Sequence, residues 1–408
     1  MPISRRALAA LLALAPVAPA LARPTGATRT PAGGGDDSTA FAGDLHRRLA
    51  PGQDLVASPY SLRSAALLAY AGAAGATAAQ MRQVLRLPTW EAFAASTAPA
   101  STSPAAADAR LPRFETANAI WPARDIALRP AYEALVRRTM GVSVQGLDFS
   151  RPEAADIINR WVSDRTHGRI DRLADPADLA SARLVLTNAV WFKAYWADPF
   201  DPWSTRPGPF RTAPGQTITA DLMRKVSRRR YWAGDGLAAV TLDYVGGEYG
   251  MTILLPDAVG GLGAIEAGMT PARLGRWLGA LDASAPTRVA LTLPRFRIDS
   301  KLDLRAPLMA MGLTLPFART ADFSRMSAEP LRLDRIIQKA FIVLDEEGTE
   351  AAAATEIDAV GTGRSAPPID MTVDHPFIYL LRDLRDGSVL FMGRVVTPSA
   401  GSLPPRRG

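Results

Sequence analysis

The first half of the chain has apolar residues at helical spacing, and the second half has the spacing of strands. Phe41, Leu45 and Leu49 follow Ser38 at helical intervals, which predicts a helix that Ser38 caps. Ser58 predicts another helix start, because a proline follows it in the first-turn position. The predicted strands are residues 184–192, 251–255, 289–296, 331–344 and 377–396. Helices followed by strands, with little regular alternation, predict a single large α+β domain.

Composition narrows the class of protein. The 408 residues are 48% hydrophobic and 21% charged, as in a globular protein with a large core. The absence of cysteine excludes disulfides, thiolate metal sites and cysteine nucleophiles. Net charge is +7, but the arginines are scattered, which argues against a specific nucleic-acid surface.

Both ends of the chain are predicted to lie outside the folded domain. Residues 1–22 have the basic start, the short apolar run and the small-x-small end of a signal peptide. Sec-type export is the default, and Arg5-Arg6 keeps a twin-arginine route open. Residues 23–37 are predicted to be a disordered leader, 38–399 the folded domain and 400–408 a flexible tail. We therefore expect an exported protein, periplasmic or extracellular, with no membrane span.

Catalytic and cofactor motifs are missing from the sequence. The three histidines, His46, His167 and His375, lie far apart, and neither a G-x-S-x-G nor an H-E-x-x-H motif occurs. We interpret His46 as a solvated helix residue. No metal or organic cofactor is predicted, and an exported hydrolase is a minor alternative.

One basic cluster stands out, with two readings left open. It consists of Arg224, Lys225, Arg228, Arg229 and Arg230. Such a run can bind a polyanion, for example a sulfated glycan or a nucleic acid. It is equally typical of a solvated hairpin, and it lacks the interleaved aromatic residues of single-strand binders.

Residues 346–368 carry the strongest functional pattern. From Thr349 onward, one period-two face is small or apolar and the other is mostly acidic, as in a strand with one side on a core. Alanine and glutamate are poor strand formers and would equally form a helix. A helix capped by Thr349 is therefore the alternative interpretation. The following glycines and prolines predict an extended segment with a tryptic bond at Arg364-Ser365. A strand that can insert into a sheet, joined to a protease-sensitive segment, indicates a protein that traps proteases. The alternative is a flexible loop between strands.

The chain resembles the serpin family, and in particular its inhibitory members, across about residues 38–398. The segments that carry the resemblance are residues 54–61, 70–73, 118–121, 186–193, 293–296, 345–352 and 371–378. The resemblance implies a single α+β domain with three β-sheets, about eight or nine helices, and a reactive-centre loop outside a five-stranded sheet.

The implied function is inhibition of a serine-type endopeptidase by suicide trapping. The target forms an acyl-enzyme at the loop, and the loop then inserts into the sheet. Trypsin-like targets are expected, with subtilisin-like or cysteine proteases as further partners, a covalent complex and a monomeric inhibitor. The alternative is a non-inhibitory serpin that acts as a carrier or a chaperone-like binding protein.

The resemblance also assigns roles to residues. The implied hinge is Glu346, Glu347, Gly348, Thr349, Glu350, Ala351, Ala352, Ala353, Ala354 and Thr355. The implied shutter, where polar side chains bridge the strands that part, is Ser58, Ser61, Asn188 and Gln338, with Gln338 where many members have histidine. The implied breach is Trp196, Arg295 and Glu346, with an ion pair between the last two. The reactive bond is Arg364–Ser365, or Thr362–Gly363 when counted forward from the hinge.

Overall fold

The computed structural model describes residues 35–95, 110–142, 144–349 and 366–399. Ten α-helices, two short 3-10 turns and three β-sheets lie within these ranges. The predicted α+β class is confirmed, with one helix more than the upper estimate. Strand-forming sequence after residue 184 also includes segments that the periodicity did not single out, chiefly between residues 206 and 243.

The bounds of the elements are as follows. The helices are Gly35–His46 (α1), Pro59–Gly72 (α2), Gly75–Leu85 (α3), Trp90–Ala95 (α4), Pro130–Met140 (α5), Glu153–Arg165 (α6), Pro176–Leu179 (α7), Leu262–Gly268 (α8), Pro271–Asp282 (α9) and Arg305–Ala310 (α10), and the 3-10 turns are Pro202–Ser204 and Leu315–Phe317. The strands are Leu55–Ala57 (β1), Arg113–Pro122 (β2), Leu184–Tyr195 (β3), Arg206–Ala213 (β4), Gln216–Arg229 (β5), Tyr231–Gly234 (β6), Leu237–Asp243 (β7), Tyr249–Pro256 (β8), Thr287–Pro294 (β9), Phe296–Asp303 (β10), Arg335–Leu344 (β11), Gly348–Thr349 (β12), Ile369–Thr372 (β13), Phe377–Asp383 (β14) and Val389–Val395 (β15).

Three sheets form the framework. The central sheet has the order β10-β11-β12-β3-β2, and β11 also pairs directly with β3. A six-stranded sheet has the order β1-β15-β14-β8-β7-β6, and a four-stranded sheet has the order β13-β9-β5-β4. Helices α2, α5 and α6 share one apolar core with the central sheet, whereas a second core lies among the three sheets. The central sheet is therefore covered on both faces.

Helix α2 contacts β2, β3 and β15 and is buried along nearly its whole length. Its start agrees with the prediction, because the Ser58 side chain accepts a hydrogen bond from the Ser61 backbone N–H. The first helix differs from the prediction. It begins at Gly35 rather than after Ser38, so the last residues of the predicted leader are helical. Ser38 lies inside α1 and is buried, and its hydroxyl accepts from the backbone of Val389.

The interpretation of His46 as a solvated residue is wrong. His46 is buried at the end of α1, where its Nε2 lies 2.7 Å from Glu266 Oε1. Arg394 on β15 donates to the same carboxylate oxygen at 2.5 Å. Burial lowers the pKa of His46, against the opposing effect of Glu266. This polar cluster ties the first helix to α8 and to the last strand.

Candidate functional site

The two central strands of the sheet are in contact at one end and separated at the other. Over residues 335–340, β11 pairs in parallel with residues 185–190 of β3. Beyond that stretch the two-residue strand β12 lies between them, antiparallel to both. Thr349 is the register partner of Leu344 on one side and of Ala194 on the other. A chain that continued from Thr349 would therefore enter the seam between β3 and β11.

Thr349 is fully buried at the mouth of this seam. Its hydroxyl lies 2.7 Å from the hydroxyl of Tyr244, which is also fully buried. The expectation of a loop outside the sheet is therefore wrong for Gly348 and Thr349, because both pair with β3 and Thr349 also pairs with β11. The alternative of a helix capped by Thr349 concerns residues from 350 onward, which lie outside the described residues, while Gly348 and Thr349 themselves are in a strand. Residues 350–355 of the predicted hinge lie outside the described residues.

Gly348 is required at its position by the closeness of β3. A Cβ atom placed there would lie 2.0 Å from the carbonyl oxygen of Ala194 and 2.8 Å from Cα of Tyr195. Both neighbours are backbone atoms and cannot rotate away. Any larger residue at Gly348 would force the hinge out of the sheet.

The indole of Trp196 anchors the segment that leads into the hinge. Trp196 is buried and stacks on Tyr244, with ring centroids 4.4 Å apart. Its Nε1 donates to the carbonyl of Asp345 at 3.0 Å, and its backbone N–H donates to the carbonyl of Glu347 at 2.7 Å. The same two rings therefore hold both the approach to the hinge and, through the Tyr244 hydroxyl, its first inserted residue.

Glu346 is a buried carboxylate with partners on both sides. Its Oε1 accepts from the Thr205 hydroxyl at 2.7 Å, and its Oε2 lies 3.4 Å from Nε of Arg295. Its backbone carbonyl accepts from the N–H of Phe200 at 2.8 Å. The structure thus brings together the residues assigned to the breach. Loss of either charged partner would leave an uncompensated buried charge.

Two neighbouring carboxyl groups have raised pKa values. Burial raises the pKa of Asp345 to about 6, and the nearby Glu346 adds to this, although Asp345 accepts backbone hydrogen bonds from Glu347 and Gly348. Burial also raises the pKa of Glu347, with Asp345 and Glu346 contributing and Lys193 opposing. The carboxyl groups of Asp345 and Glu347 therefore keep a proton at a higher pH than an exposed carboxyl group would.

The four residues assigned to the shutter form one buried hydrogen-bonded network. Gln338 and Asn188 are register partners on β11 and β3, and Gln338 Nε2 donates to Asn188 Oδ1 at 2.6 Å. Gln338 also exchanges two hydrogen bonds with the backbone of Ser58, at 2.8 and 3.0 Å. The amide of Asn188 donates to the Ser61 hydroxyl. The network spans the seam where β3 and β11 are still joined, so opening that seam must break it.

The residues of the site that were not predicted include Asn118 and Tyr244. Asn118 on β2 is the register partner of Asn188, and its Oδ1 accepts from Asn188 Nδ2 at 2.5 Å. A signal existed, because an asparagine within an apolar strand needs a partner once it is buried. Tyr244 gave no such signal, since an aromatic residue after a strand is common in any core.

The basic cluster is divided between the two faces of a strand. All of the cluster except Arg230 lies on β5, which forms a hairpin with β4 and also pairs with β9, but the predicted solvated hairpin is only partly exposed, because Arg229 is buried. Lys225 forms an ion pair with Asp198 and donates to the carbonyl of Pro199, and the buried Arg229 lies 3.5 Å from the same carboxylate. Arg224 and Arg228 are exposed. The five side chains therefore do not form one continuous basic surface.

Other functional expectations fall partly outside the described residues. Both candidate reactive bonds, Arg364–Ser365 and Thr362–Gly363, lie outside the described residues. The next described range begins at Ala366, before β13. Within the described ranges, no helix is both long and apolar enough to cross a membrane. The same ranges contain no group of three or more histidine and acidic side chains arranged to hold a metal ion.

Known proteins share this architecture across most of the chain. Residues 36–398 match the family described as Serpin (serine protease inhibitor). An uncharacterized serpin-like protein of Thermococcus kodakarensis is 35% identical over 375 residues, which cover 88% of this chain and 85% of that protein. The leukocyte elastase inhibitor of Sus scrofa is 33% identical over 378 residues, which cover 88% of this chain and 98% of that protein.

A solved structure gives the same picture. The crystal structure of Serpin48, a highly specific serpin of the insect Tenebrio molitor, matches with a TM-score of 0.78 at 28% identity and covers 89% of this chain and 98% of that chain. The chain belongs to the serpin family. Serpins are mostly protease inhibitors rather than enzymes, and inhibitory members bind target proteases.

Proposed function

We propose that this protein inhibits serine proteases by suicide trapping. The observation that carries the proposal is the position of β12, which pairs with β3 through Gly348 and Thr349 and with β11 through Thr349. Full insertion would replace the parallel contact of β11 with β3 by two antiparallel contacts, which are slightly more stable per residue. Insertion of a released loop between β3 and β11 is therefore energetically favourable.

The proposed reaction begins as ordinary proteolysis. The serine hydroxyl of the target attacks the carbonyl carbon of Arg364, the bond to the nitrogen of Ser365 breaks, and the new amine leaves with a proton. An ester then joins Arg364 to the protease. Insertion of the freed strand pulls the ester away before water hydrolyses it. The small residues Ala351 and Ala353 suit this step, because a bulky side chain would slow entry into the seam.

Arg364 defines the proposed class of target. An arginine before the cleaved bond fits proteases with an acidic specificity pocket, such as trypsin. Thr362–Gly363 is the competing bond. The two differ by two residues in the length of chain available for insertion, and hence in how far the protease is carried.

The test is to mix the protein with trypsin and look for a complex that survives SDS, then to determine the mass of the released C-terminal peptide. We expect a band near the summed masses and a peptide that starts at Ser365. A peptide that starts at Gly363 would assign the bond to Thr362. Cleavage without a stable complex, for trypsin and for subtilisin-like and cysteine proteases alike, would overturn inhibition and favour a non-inhibitory carrier.

A matched variant separates trapping from simple cleavage. Thr349→Arg places a large charged side chain at the fully buried position beside Tyr244, where taking the charge out of water is costly. We expect this variant to be cleaved at the same bond as the wild type while forming little or no stable complex. An equal yield of complex would contradict insertion through this seam.

We also propose export of the mature protein after removal of residues 1–22. The support is the signal-like pattern of that segment. Expression of the full chain in a bacterium with an intact Sec system, followed by N-terminal sequencing of the exported fraction, tests it. The expected first residue is Arg23, and retention of unprocessed protein in the cytoplasm would contradict the proposal.

A further inference from the structure

We propose that His46, Glu266 and Arg394 form an acid-sensitive latch, which holds the end of the first helix on the body of the protein at neutral pH and releases it in mildly acidic surroundings. This cluster is called here the helix latch. The inference goes beyond the proposed function, because the contacts that carry it lie outside the reactive loop and the central seam. They would act in the same way in an inhibitor and in a carrier.

The helix latch joins three elements that are far apart in the sequence. His46 is the last residue of α1, Glu266 lies on α8 and Arg394 lies on β15, and all three are buried. Nε2 of His46 lies 2.7 Å from Glu266 Oε1, and Nη1 of Arg394 donates to the same oxygen at 2.5 Å. Arg394 also donates to the carbonyls of Ala50 and Gln53. The end of α1 and the segment that follows it are therefore bound to one shared polar cluster.

The geometry of the helix latch favours a neutral imidazole. The carboxylate of Glu266 accepts hydrogen bonds, so the proton of the neutral ring is on Nε2. Nδ1 of His46 is buried and has no hydrogen-bond partner among the described residues. A second proton would go to Nδ1, and it would place a second buried cation beside Arg394 around a single carboxylate. The C-terminal end of a helix favours a cation, but by less than a buried, unpaired N–H costs.

Charged groups on the surrounding elements do not offset this preference. Burial lowers the pKa of His46 and Arg394 adds to this effect, whereas Glu266 opposes it. Other charged side chains on α1, α2, α9 and the segment after α1 have partners of their own, namely Asp44 with Arg47 and Arg86, Asp54 with the backbone of Val396 and Thr397, Arg63 with the carbonyls of Leu85 and Arg86, Arg273 and Arg276 with Asp235, and Asp282 with Arg382. The carboxylate that faces the ring is that of Glu266, and Arg394 already binds it.

A histidine that binds its proton more weakly when buried than when released makes the contact sensitive to acid. On release into water, the pKa of His46 returns toward its ordinary value of about 6.5. The contribution of the helix latch is therefore fully present above about pH 6.5 and declines as pH falls below it, because the released state takes up the proton first. Burial tends to raise the pKa of Glu266, but hydrogen bonds from His46 and Arg394 lower it overall, so this carboxylate stays ionised in that range.

Hydrogen exchange measures the opening of the helix latch directly. The amides of Arg48 and Leu49 donate to the carbonyls of Leu45 and His46, so their exchange reports the end of α1. Exchange is measured between pH 7.5 and 5.0 and corrected for the intrinsic rate at each pH. We expect the protection of both amides to fall by up to about tenfold per pH unit below pH 6.5, the limit for uptake of one proton. Protection that stays constant over this range would overturn the proposal.

Matched variants assign the effect to one histidine. His46→Gln keeps a donor for Glu266 but cannot titrate, and we expect its protection to be nearly independent of pH over the same range. His167→Gln is the control, because it removes an exposed histidine that contacts Glu115, and it should keep the fall seen in the wild type. Asp345→Asn with Glu347→Gln should keep that fall too, which separates the helix latch from the hinge. An equal fall in His46→Gln would contradict the proposal.

A titration of the wild type gives a test that needs no variant. The chain has three histidines, so the NMR signals of the His46 ring can be followed in the folded protein. We expect a neutral ring with its proton on Nε2 at pH 5.5 in the fraction that remains folded. A ring that is already protonated at pH 6.5 in the folded protein would overturn the helix latch, whether or not His46→Gln folds.

Discussion

The hydroxyl oxygens of Thr349 and Tyr244 lie 2.7 Å apart in the buried mouth of the central sheet. This contact joins the first inserted residue of the loop to a ring that also stacks on Trp196. Because both hydroxyls are out of water, each depends on the other for its hydrogen bond. The docked position of the hinge is therefore stabilised by a specific polar contact as well as by strand pairing.

Removing the Tyr244 hydroxyl should loosen the hinge. In Tyr244→Phe, the Thr349 hydroxyl stays buried without that partner, at a cost of about 1–3 kcal/mol. We expect hydrogen exchange of the Gly348 and Thr349 amides to accelerate at least about tenfold. Tyr379→Phe is the control, because it also loses a buried hydrogen bond, to Leu55, but away from the hinge. Unchanged hinge exchange in Tyr244→Phe would show that the contact contributes nothing to docking.

A methyl group at Gly348 should prevent docking altogether. Gly348→Ala places its Cβ 2.0 Å from the Ala194 carbonyl oxygen, which neither strand can relieve without separating. We expect more cleaved, uncomplexed inhibitor per molecule of trypsin trapped, together with loss of exchange protection at Thr349. Gly275→Ala in α9 has open space around it and should raise stability by about 0.5–1 kcal/mol without affecting trapping. If Gly348→Ala traps trypsin as efficiently as wild type, insertion does not pass through this register.

Weakening the network around Asn188 should make the central sheet easier to open. Asn188→Ala removes its contacts with Gln338, Ser61 and Asn118, and leaves buried partners unsatisfied. At about 1–3 kcal/mol per orphaned group, we expect Tm to fall by roughly 5–10 °C, with faster loss of inhibitory activity below Tm.

Asn159→Ala is the control for that prediction, because it also breaks several backbone contacts but lies outside the central seam. It should lower Tm without a matching rise in the rate of inactivation. If both variants inactivate in proportion to their loss of Tm, the network has a general stabilising role and no particular role in opening the sheet.

Acidification should favour the docked hinge. The pKa of Asp345 is about 6 when docked and would return toward the ordinary value of about 4 on release into water. The docked state therefore binds the proton more tightly. Its advantage is fully present below about pH 4, declines as pH rises and is lost above about pH 6. The raised pKa of Glu347 acts in the same direction, while Arg295 and Lys193 oppose these shifts.

The absence of cysteine makes this effect measurable at one site. A fluorophore attached to Glu350→Cys labels the protein uniquely, and its emission follows docking between pH 4 and 7.5. We expect the docked signal to rise toward low pH in this protein and to become nearly flat when Asp345→Asn and Glu347→Gln are added. A pH response that survives both substitutions would assign the effect to other groups.

The pattern of apolar and polar positions along the chain predicts the α+β class, most of the later strands and a strand-like segment beginning at Thr349. Those features are local, since period-two alternation around Thr349 and the apolar runs of the later strands are visible within a few residues. Ser58 as a helix cap is of the same kind, because the cap and its partner Ser61 are three residues apart. The family resemblance then supplied roles for residues that periodicity cannot rank.

Which distant residues meet is set by the tertiary structure. Tyr244 reaches Thr349 and Asn118 reaches Asn188 because separate strands come into register, and register depends on the whole sheet. The division of the basic cluster and the burial of His46 have the same cause, since the inward face of a strand or a helix is defined by what packs against it. Partial insertion of the hinge likewise depends on the parting of β3 from β11, a relation between segments about 150 residues apart.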